Sequence, residues 1–292
     1  MDWMKHKKIY FAVSVIVIAI GVFSLLTWGL KIGIDFKGGT IIEYKISKEI
    51  SGEEIREKIN SIEVEVNSVQ KTSTGTYLLR LGSIDNEKKE KIKEELVKVT
   101  GSEIEELRFE TVGAFFGPEL VRKTIYGMLI AALVILLWVA YQFKSYKFGI
   151  SAILAMFHDT LVVIGMYSLF GHFWQAEVDF LFVTALLTIL SFSVHDTIVV
   201  YDRIRESQRK IGGSTIELAN KAVTETMVRS LNNSFTIVFM LIALVLFGGS
   251  TIKWFAIVLL IGTISGTYSS PFVAVPLLVT WDELLTKIKI RK

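Results

Sequence analysis

The sequence contains no cysteine, and this absence excludes disulfide frameworks and thiolate metal sites. It also lacks a basic stripe interleaved with aromatic residues, so nothing in it points to nucleic-acid binding. The net charge of +3 is small and becomes informative only when it is divided among segments. Apolar residues, in contrast, make up 51% of the 292 positions. This share is too high for a soluble globular protein, and we therefore expect a membrane protein with a soluble part.

Six apolar segments are long enough to predict membrane-spanning helices. They are Ile9–Leu30, Thr124–Tyr141, Gly149–Phe170, Phe180–Val200, a fifth from near Val228 to Phe247, and Thr251–Leu278. The first follows a basic leader and no small-residue cleavage site comes after it, so we predict a retained helix and not a signal peptide. The predicted domains are residues 1–30 for the leader and first helix, 31–122 for a soluble head, and 123–292 for the other five helices and the tail.

The head carries 15 basic and 18 acidic residues and alternates short apolar strands with charged helices. The predicted elements are strands near Gly39–Lys45, Val64–Ser68, Tyr77–Leu81 and Glu106–Thr111, helices from Ser51 and from Asp85 to about Val99, and a hairpin at Thr74–Gly75. Ser51 and Glu54 have the spacing of a capping box. This order is βαββαβ, which predicts a small α+β domain of the ferredoxin-like type.

The distribution of lysine and arginine predicts the orientation in the membrane. The leader has three such residues, the 142–148 loop two, the 201–233 segment six and the tail four, whereas the 171–179 loop has none and the 248–253 loop one. We therefore expect both termini in the cytoplasm. The head, which follows the first helix, is expected on the extracytoplasmic side.

The fourth segment carries a carboxylate inside an apolar helix. An ionised carboxylate in lipid is costly, so we expect Asp196 to face a protein or water-filled interior and to have a function there. Thr184, Thr188, Ser191 and His195 fall within one narrow stripe, and Asp196 lies about 100° round the helix from His195. For the hydroxyls, hydrogen bonding between helices is the favoured interpretation.

A second histidine–aspartate pair, His158-Asp159, occurs in the third segment and parallels His195-Asp196 in the fourth. One interpretation is an acid–base relay through His158, Asp159 and His195, because histidine titrates near neutral pH. The other is a chance repeat in which these side chains are satisfied by hydrogen bonds. The spacing does not demand metal coordination, and we predict neither a metal nor another cofactor.

The fifth helix is predicted to carry a polar face into the membrane. Arg229, Asn232, Asn233 and Thr236 share this face at spacings of three and four residues. If Arg229 faces Asp196, protonation would break an ion pair and give the carboxylate two distinct states. The alternative is that Arg229 is an anchor on the positive-inside side of the membrane.

A row of small residues in the sixth segment predicts close helix contact, within the chain or with another subunit. The row comprises Gly262, Gly266 and Ser270, with Ser265 and Ser269 beside it. Pro271 and Pro276 are expected to bend this helix.

Motifs along nearly the whole chain resemble one known family. They are Gly33–Thr40, Val112-Gly113 with Gly117–Leu120, His158-Asp159, Asp196 with Asp202–Glu206, Phe247–Gly249, and Gly262 with Gly266–Ser270. In this order they resemble the SecF subunits of the bacterial Sec protein-export machinery, which belong to the SecD/SecF family and are related to the proton-driven resistance-nodulation-division transporters.

This resemblance implies a partner, SecD, and a SecYEG channel that both subunits serve during polypeptide export. It also implies that Asp196 and Arg229 take part in proton coupling. The family commonly has asparagine before that aspartate, where this chain has His195. Either His195 joins the proton path, or it keeps the hydrogen-bonding role of the amide.

The combined expectation is a non-enzymatic subunit of the bacterial inner membrane that uses the proton-motive force. Two alternatives stay open. An intramembrane aspartyl protease is suggested by two membrane aspartates and by Tyr201-Asp202, but the Gly-x-Gly-Asp motif that such proteases also need is absent. A passive scaffold would explain the head and the small-residue row, yet it leaves Asp196 without a reason to lie in the membrane.

Overall fold

The computed structural model describes residues 1–72, 75–112, 116–143 and 145–290. The chain forms two compact units, one of Met1–Lys31 with Gly127–Lys292 and one of Ile32–Tyr126. Several residues of the predicted hairpin, motifs and basic segments lie outside the described ranges. They are Thr74 of the predicted hairpin, Gly113 of one motif, and the basic residues Lys144, Arg291 and Lys292.

The chain is mainly helical, with one small sheet in the second unit. In chain order the elements are α1 (Lys7–Trp28), α2 (Ile34–Lys37), β1 (Gly39–Ile46), α3 (Gly52–Asn60), β2 (Val66–Lys71), β3 (Tyr77–Leu81), α4 (Asn86–Thr100), β4 (Ile104–Val112), α5 (Phe116–Phe143), α6 (Tyr146–Trp174), α7 (Phe180–Ile211), α8 (Thr215–Phe247), α9 (Gly249–Ser269), a π-helical turn (Ser270–Ala274) and α10 (Val275–Ile290). Six helices among the described residues are long and apolar enough to cross a membrane, the sixth being α9 continued into α10. The protein is therefore a multi-pass membrane protein.

The fifth spanning helix starts much earlier than the sequence analysis predicted. The start near Val228 was wrong, because α8 begins at Thr215. Ser214 Oγ accepts a hydrogen bond from the Glu217 amide while the Glu217 carboxylate accepts one from the Ser214 amide, both at 3.3 Å. This capping box starts a helix before the apolar run does. With α7 continuing to Ile211, the basic segment 201–233 is helical except at residues 212–214.

The second unit contains the predicted element order βαββαβ. Its four strands lie in the order β2-β3-β1-β4, and every neighbouring pair is antiparallel. The sheet and its two helices share a core of fully buried residues, namely Ile42, Tyr44, Ile55, Ile59, Leu79, Leu81, Ile92 and Leu96. The Ser51 hydroxyl caps α3 and the Asp85 carboxylate caps α4, so both helices begin where the sequence indicated.

A glycine pair forms the turn that leads into β1. Gly38 and Gly39 have φ values of 78° and 135°, which side chains with a Cβ rarely adopt. A Cβ on Gly39 would also lie 2.8 Å from the carbonyl oxygen of Leu81 and 3.1 Å from the side chain of Ile34. The glycines thus have a structural role, which is to let α2 and β3 approach the start of β1.

Small residues also allow α1 to pack closely against α6. A Cβ on Gly21 would lie 3.0 Å from the Cα of Gly165. Beside this contact, Ser24 Oγ donates to Ser168 Oγ at 2.8 Å, and Ser168 Oγ donates to the Gly29 carbonyl at 2.6 Å. The first helix is therefore held to the bundle by close packing and by buried hydroxyls.

Two buried tyrosines of the head differ in their hydrogen bonds, so replacing each by phenylalanine should affect stability differently. The Tyr44 hydroxyl has no hydrogen-bond partner among the described residues, whereas Tyr77 Oη donates to the Ile50 carbonyl at 2.9 Å and accepts from its amide at 3.2 Å. We expect Tyr44→Phe to leave the head as stable or to stabilise it by about 1 kcal/mol, and Tyr77→Phe to destabilise it by about 1–2 kcal/mol. Hydrogen exchange of head peptides in the full chain measures both, and equal losses would contradict the assignment.

The burial of Tyr44 also predicts how the stability of the head depends on pH. Burial, reinforced by the charges of Glu106 and Glu90, raises the pKa of Tyr44 above its ordinary value. The unfolded chain therefore loses this proton first, and the free energy of unfolding of the head falls as the pH rises above about 10. Tyr44→Phe should weaken this alkaline loss, as measured by the pH at which head peptides lose exchange protection.

Candidate functional site

Asp196 lies in the middle of α7 and faces the protein interior. Its side chain is 5% exposed, and its Oδ2 accepts a hydrogen bond of 2.9 Å from Ser230 Oγ of α8. The adjacent His195 is exposed. The two residues therefore meet different neighbours, as their separation of about 100° on the helix requires.

The contact between α7 and α8 uses a serine and not the predicted arginine. Arg229 is exposed and forms no ion pair with Asp196 within the described part of the chain. The inward row of α8 contains Ser230 and Ser234, and Ser234 Oγ accepts a hydrogen bond of 2.6 Å from Thr267 Oγ1 of α9. Arg229 precedes Ser230 by one residue, so a rotation of α8 of about 100° would exchange the two side chains at Asp196.

Two polar faces of the predicted spanning helices are exposed in the isolated chain. The α7 face comprises Thr184, Thr188, Ser191 and His195, and the α8 face comprises Arg229, Asn232, Asn233 and Thr236. The threonine hydroxyls of α7 donate to carbonyls of their own helix, at 2.9 and 2.8 Å. Polar groups without partners are costly in hydrocarbon, so these faces fit contact with protein or water better than contact with lipid.

A second carboxylate, Asp159 of α6, is completely buried and is surrounded by hydrogen-bond donors. Its Oδ2 accepts from Ser193 Oγ at 2.5 Å and from Ser269 Oγ at 2.6 Å. Its Oδ1 accepts from Ser265 Oγ at 2.6 Å and lies 3.0 Å from Nδ1 of His158. We call Asp159 with these three serines the serine cluster. It joins three helices, α6, α7 and α9, at one buried carboxyl group.

The small-residue row predicted in the sixth segment brings α9 to this cluster. A Cβ on Gly262 would overlap the Ile189 side chain of α7, and one on Gly266 would lie 3.4 Å from the Cα of Ser193. Ser265 and Ser269 stand one turn apart beside these glycines. The close helix contact therefore lies within the chain, and it lets both serines reach Asp159.

Histidine 158 is 6% exposed and completes the surroundings of Asp159. Its Nε2 is buried with no hydrogen-bond partner in the residues described, and the ring of Tyr268 lies 6.3 Å away. With Nδ1 near Asp159, the neutral tautomer that protonates Nδ1 satisfies that contact. No group of three or more histidine, aspartate or glutamate side chains in the described ranges is arranged to hold a metal ion.

Further hydroxyl contacts continue towards the break in the sixth helix. Thr197 Oγ1 lies 3.0 Å from Ser270 Oγ, where the π-helical turn begins. Tyr201 Oη lies 2.7 Å from Ser151 Oγ and 3.0 Å from the carbonyl oxygen of Ala274. The predicted bend at Pro271 is thus a π-helical turn whose ends are held by two side chains of α7.

The part of α7 that follows Tyr201 forms ion pairs, whereas the part before it forms hydrogen bonds through buried hydroxyls. Arg203 binds Glu225 of α8 at 2.5 Å and Glu206 at 2.6 Å, and Arg205 binds Asp202 at 2.8 Å. These pairs account for the charged residues of the 202–206 motif. Of the three, the Arg203–Glu225 pair connects α7 to α8, and the other two lie within α7.

Family models match two regions of the chain. The model described as protein export membrane protein SecD/SecF, C-terminal, matches residues 91–284, and the SecD/SecF GG motif matches residues 23–50. The second match contains the glycine turn before β1. The first contains both buried carboxylates.

Curated relatives match over nearly the full length. The protein translocase subunit SecF of Thermobaculum terrenum is 41% identical, with 97% of this chain and 94% of the relative covered. The protein of the same name from Anaerolinea thermophila is 36% identical, with the same two shares.

Solved structures give the same grouping. The crystal structure of SecDF from Thermus thermophilus, described as a translocon-associated membrane protein, matches with a TM-score of 0.85 and 30% identity. The alignment covers 97% of this chain but only 39% of the SecDF chain. A SecDF structure in a super-membrane-facing form matches with a TM-score of 0.73, also at 30% identity, covering 100% of this chain and 40% of that chain.

The packing of α9 on α7 can be tested at Gly262. We expect Gly262→Val to destabilise the bundle by about 1–3 kcal/mol, because the new side chain would overlap Ile189. Ile264→Ala, at an exposed position of the same helix, is the matched control and should have little effect. The fraction of protein that stays monodisperse in detergent after heating measures the difference, and equal behaviour of both variants would contradict this packing.

Proposed function

Because the chain belongs to the SecD/SecF family of protein export membrane proteins, we propose that it uses the proton-motive force to assist polypeptide export. Its relatives are named protein translocase subunits, which supports a role in the Sec pathway. In the proposal the chain acts with SecD and serves the SecYEG channel, from which the exported polypeptide emerges. The work is conformational, so no enzymatic step is proposed.

The observation that supports the proposal most directly is the small number of hydrogen-bond donors around the Asp196 carboxylate. This buried carboxylate accepts one hydrogen bond from a described residue, from Ser230, whereas the completely buried Asp159 has four close polar neighbours. An ionised carboxylate with few donors in a low-dielectric bundle is destabilised, so binding a proton relieves a cost. Each proton that crosses about 100 mV releases roughly 2.3 kcal/mol, enough to shift a balanced helix packing.

Arg229 is the proposed second member of the proton-coupling site. When Asp196 is protonated, its neutral carboxyl group is satisfied by the Ser230 hydroxyl. When it is ionised, a rotation of α8 would bring Arg229, the preceding residue, to the carboxylate. The proposed cycle thus alternates between a serine contact and an ion pair. The relay through His158, Asp159 and His195 stays a separate prediction.

The two exposed polar faces support association with SecD. In the isolated chain, hydroxyl, amide, imidazole and guanidinium groups at membrane depth lack a protein cover. The chain also corresponds to about two-fifths of the SecDF chain that it resembles. We propose that SecD packs against the α7 and α8 faces. The protein would lie in the bacterial inner membrane with both termini cytoplasmic and the ferredoxin-like head, residues 31–122, extracytoplasmic.

The protease alternative has less support from the geometry of the two aspartates. An aspartyl protease needs two carboxylates that share one site. Here Asp159 is surrounded by serines of α7 and α9, whereas Asp196 faces Ser230 of α8. A passive scaffold remains the second candidate, and the following experiment separates it from a proton-coupled subunit.

Asp196→Asn should abolish proton-dependent export while the complex with SecD stays assembled, because asparagine keeps the size but cannot exchange the proton. The measurement is proton flux into vesicles that contain the co-reconstituted complex, with an exported polypeptide assay in parallel. Glu87→Gln is the matched control, since its ion pair with Lys91 in the head is exposed and contributes little. Undiminished flux and export in Asp196→Asn would contradict the proton-coupled proposal and favour the passive scaffold.

Ser191→Trp should reduce the amount of SecD that co-purifies with the chain. Its position is exposed on the α7 face, where a large side chain would separate the packed helices. Leu26→Trp, at an exposed position of α1, serves as the control. Unchanged co-purification in both variants would place the SecD contact elsewhere.

A further inference from the structure

The serine cluster has no part in the proton step proposed for Asp196. We propose that Asp159 is a positioning residue, an ionised carboxylate that fixes the rotation of α7 and thereby directs Asp196 towards Ser230. This inference rests on the proposed function, since positioning matters only if Asp196 exchanges protons. It assigns Asp159 a fixed charge and not membership of a relay.

The contacts of Asp159 match a carboxylate without a proton. Three serine hydroxyls and the His158 ring nitrogen converge on its two oxygens. An ionised carboxylate has acceptor sites only, so it can accept from all four groups, whereas a protonated one would bring a further donor into the cluster. The three hydroxyl contacts of 2.5–2.6 Å have the length of charge-assisted O–H···O⁻ hydrogen bonds.

The cluster acts on the same helix that carries Asp196. Ser193 precedes Asp196 by three residues, so the two side chains point about 60° apart on α7. Ser193 is held by Asp159 of α6, while Asp196 is held by Ser230 of α8. If the Ser193 contact is lost, α7 can turn about its axis, and any such turn moves Asp196 away from Ser230.

The face of α9 that meets α7 supplies the remaining donors. Ser265 and Ser269 lie one turn apart and both donate to Asp159. Gly262 and Gly266 let the helices approach closely enough for these bonds to form. A row of small residues by itself explains packing only. The convergence of two of its hydroxyls on one buried charge explains why α7 is fixed in rotation as well as in distance.

A cross-linking experiment tests the positioning directly, because the chain has no cysteine of its own. The double variant Asp196→Cys with Ser230→Cys reports whether the two positions face each other, when the complex with SecD is oxidised in vesicles. We expect Asp159→Asn to lower the yield of this cross-link about tenfold, because the loss of hydrogen bonds to a charged group leaves α7 free to turn. The pair Ser234→Cys with Thr267→Cys, which joins α8 to α9, should keep its yield.

Two further variants make the result specific. Ser193→Ala keeps the charge of Asp159 but removes the bond to α7, so it should also lower the first cross-link, by about threefold. Ser168→Ala removes another buried hydroxyl of α6, one that bonds to α1, and should leave both cross-links unchanged. These variants keep the test decisive if Asp159→Asn folds poorly.

Proton flux provides the functional readout in chains that keep Asp196. Asp159→Asn should lower the flux about tenfold and move the pH at which it is half-maximal, because a misplaced Asp196 loses its Ser230 contact. Among the described residues, the other titratable side chains on these helices include His195 and Tyr201 on α7, His158 on α6, Arg229 on α8 and Tyr268 on α9, and these stay unaltered. A role in folding alone would reduce the amount of complex without moving this pH.

Each outcome decides the proposal. Loss of the first cross-link with retention of the second supports positioning. Unchanged yields of both, or equal losses of both, overturn it. Loss of flux with an unchanged first cross-link would overturn it in favour of a relay role for Asp159. If Asp196→Asn leaves flux intact, the proposed function fails, yet the cross-links still show whether Asp159 orients α7.

Discussion

An ionised carboxylate inside a membrane bundle needs hydrogen-bond donors from the protein, because lipid offers none. This constraint explains the arrangement of the helices around Asp159. Serines of α7 and α9 reach it only because Gly262 and Gly266 remove side chains from the contact between these helices. The packing of three spanning helices and the neutralisation of one buried charge are therefore the same structural feature.

The second carboxylate, Asp196, has fewer hydrogen-bond donors around it than Asp159, and we assign the two residues different roles. Asp196 lies one turn from the cluster but faces α8, where Ser230 is the one described residue whose hydroxyl donates to it. A charge that is fully surrounded can stay fixed, whereas one with little compensation responds to protonation. In the proposed cycle, the contacts of α6, α7 and α9 around Asp159 stay fixed while the contact between α7 and α8 changes.

Most elements of the fold could be predicted from the sequence, because each carries local signals. Ser51, Asp85 and alternating strand patterns indicated the head elements, and uninterrupted apolar runs indicated the spanning helices. The predicted start of α8 was wrong because the apolar run begins near Val228, whereas the capping box at Ser214 and Glu217 begins the helix earlier. The site was harder, since Arg229 and its asparagines gave a clear polar face, yet Ser230 makes the contact. Serines at 230 and 234 also share a face, but which face turns inward depends on tertiary packing.

The central claim is that Asp196 exchanges a proton while Asp159 stays ionised. Infrared difference spectroscopy of the reconstituted complex with SecD, recorded across a step in pH, observes protonated carboxyl groups directly. The account predicts a carboxyl band that appears on acidification, disappears in Asp196→Asn and persists, shifted in pH, in Asp159→Asn. A band that disappears in Asp159→Asn but survives in Asp196→Asn would contradict it.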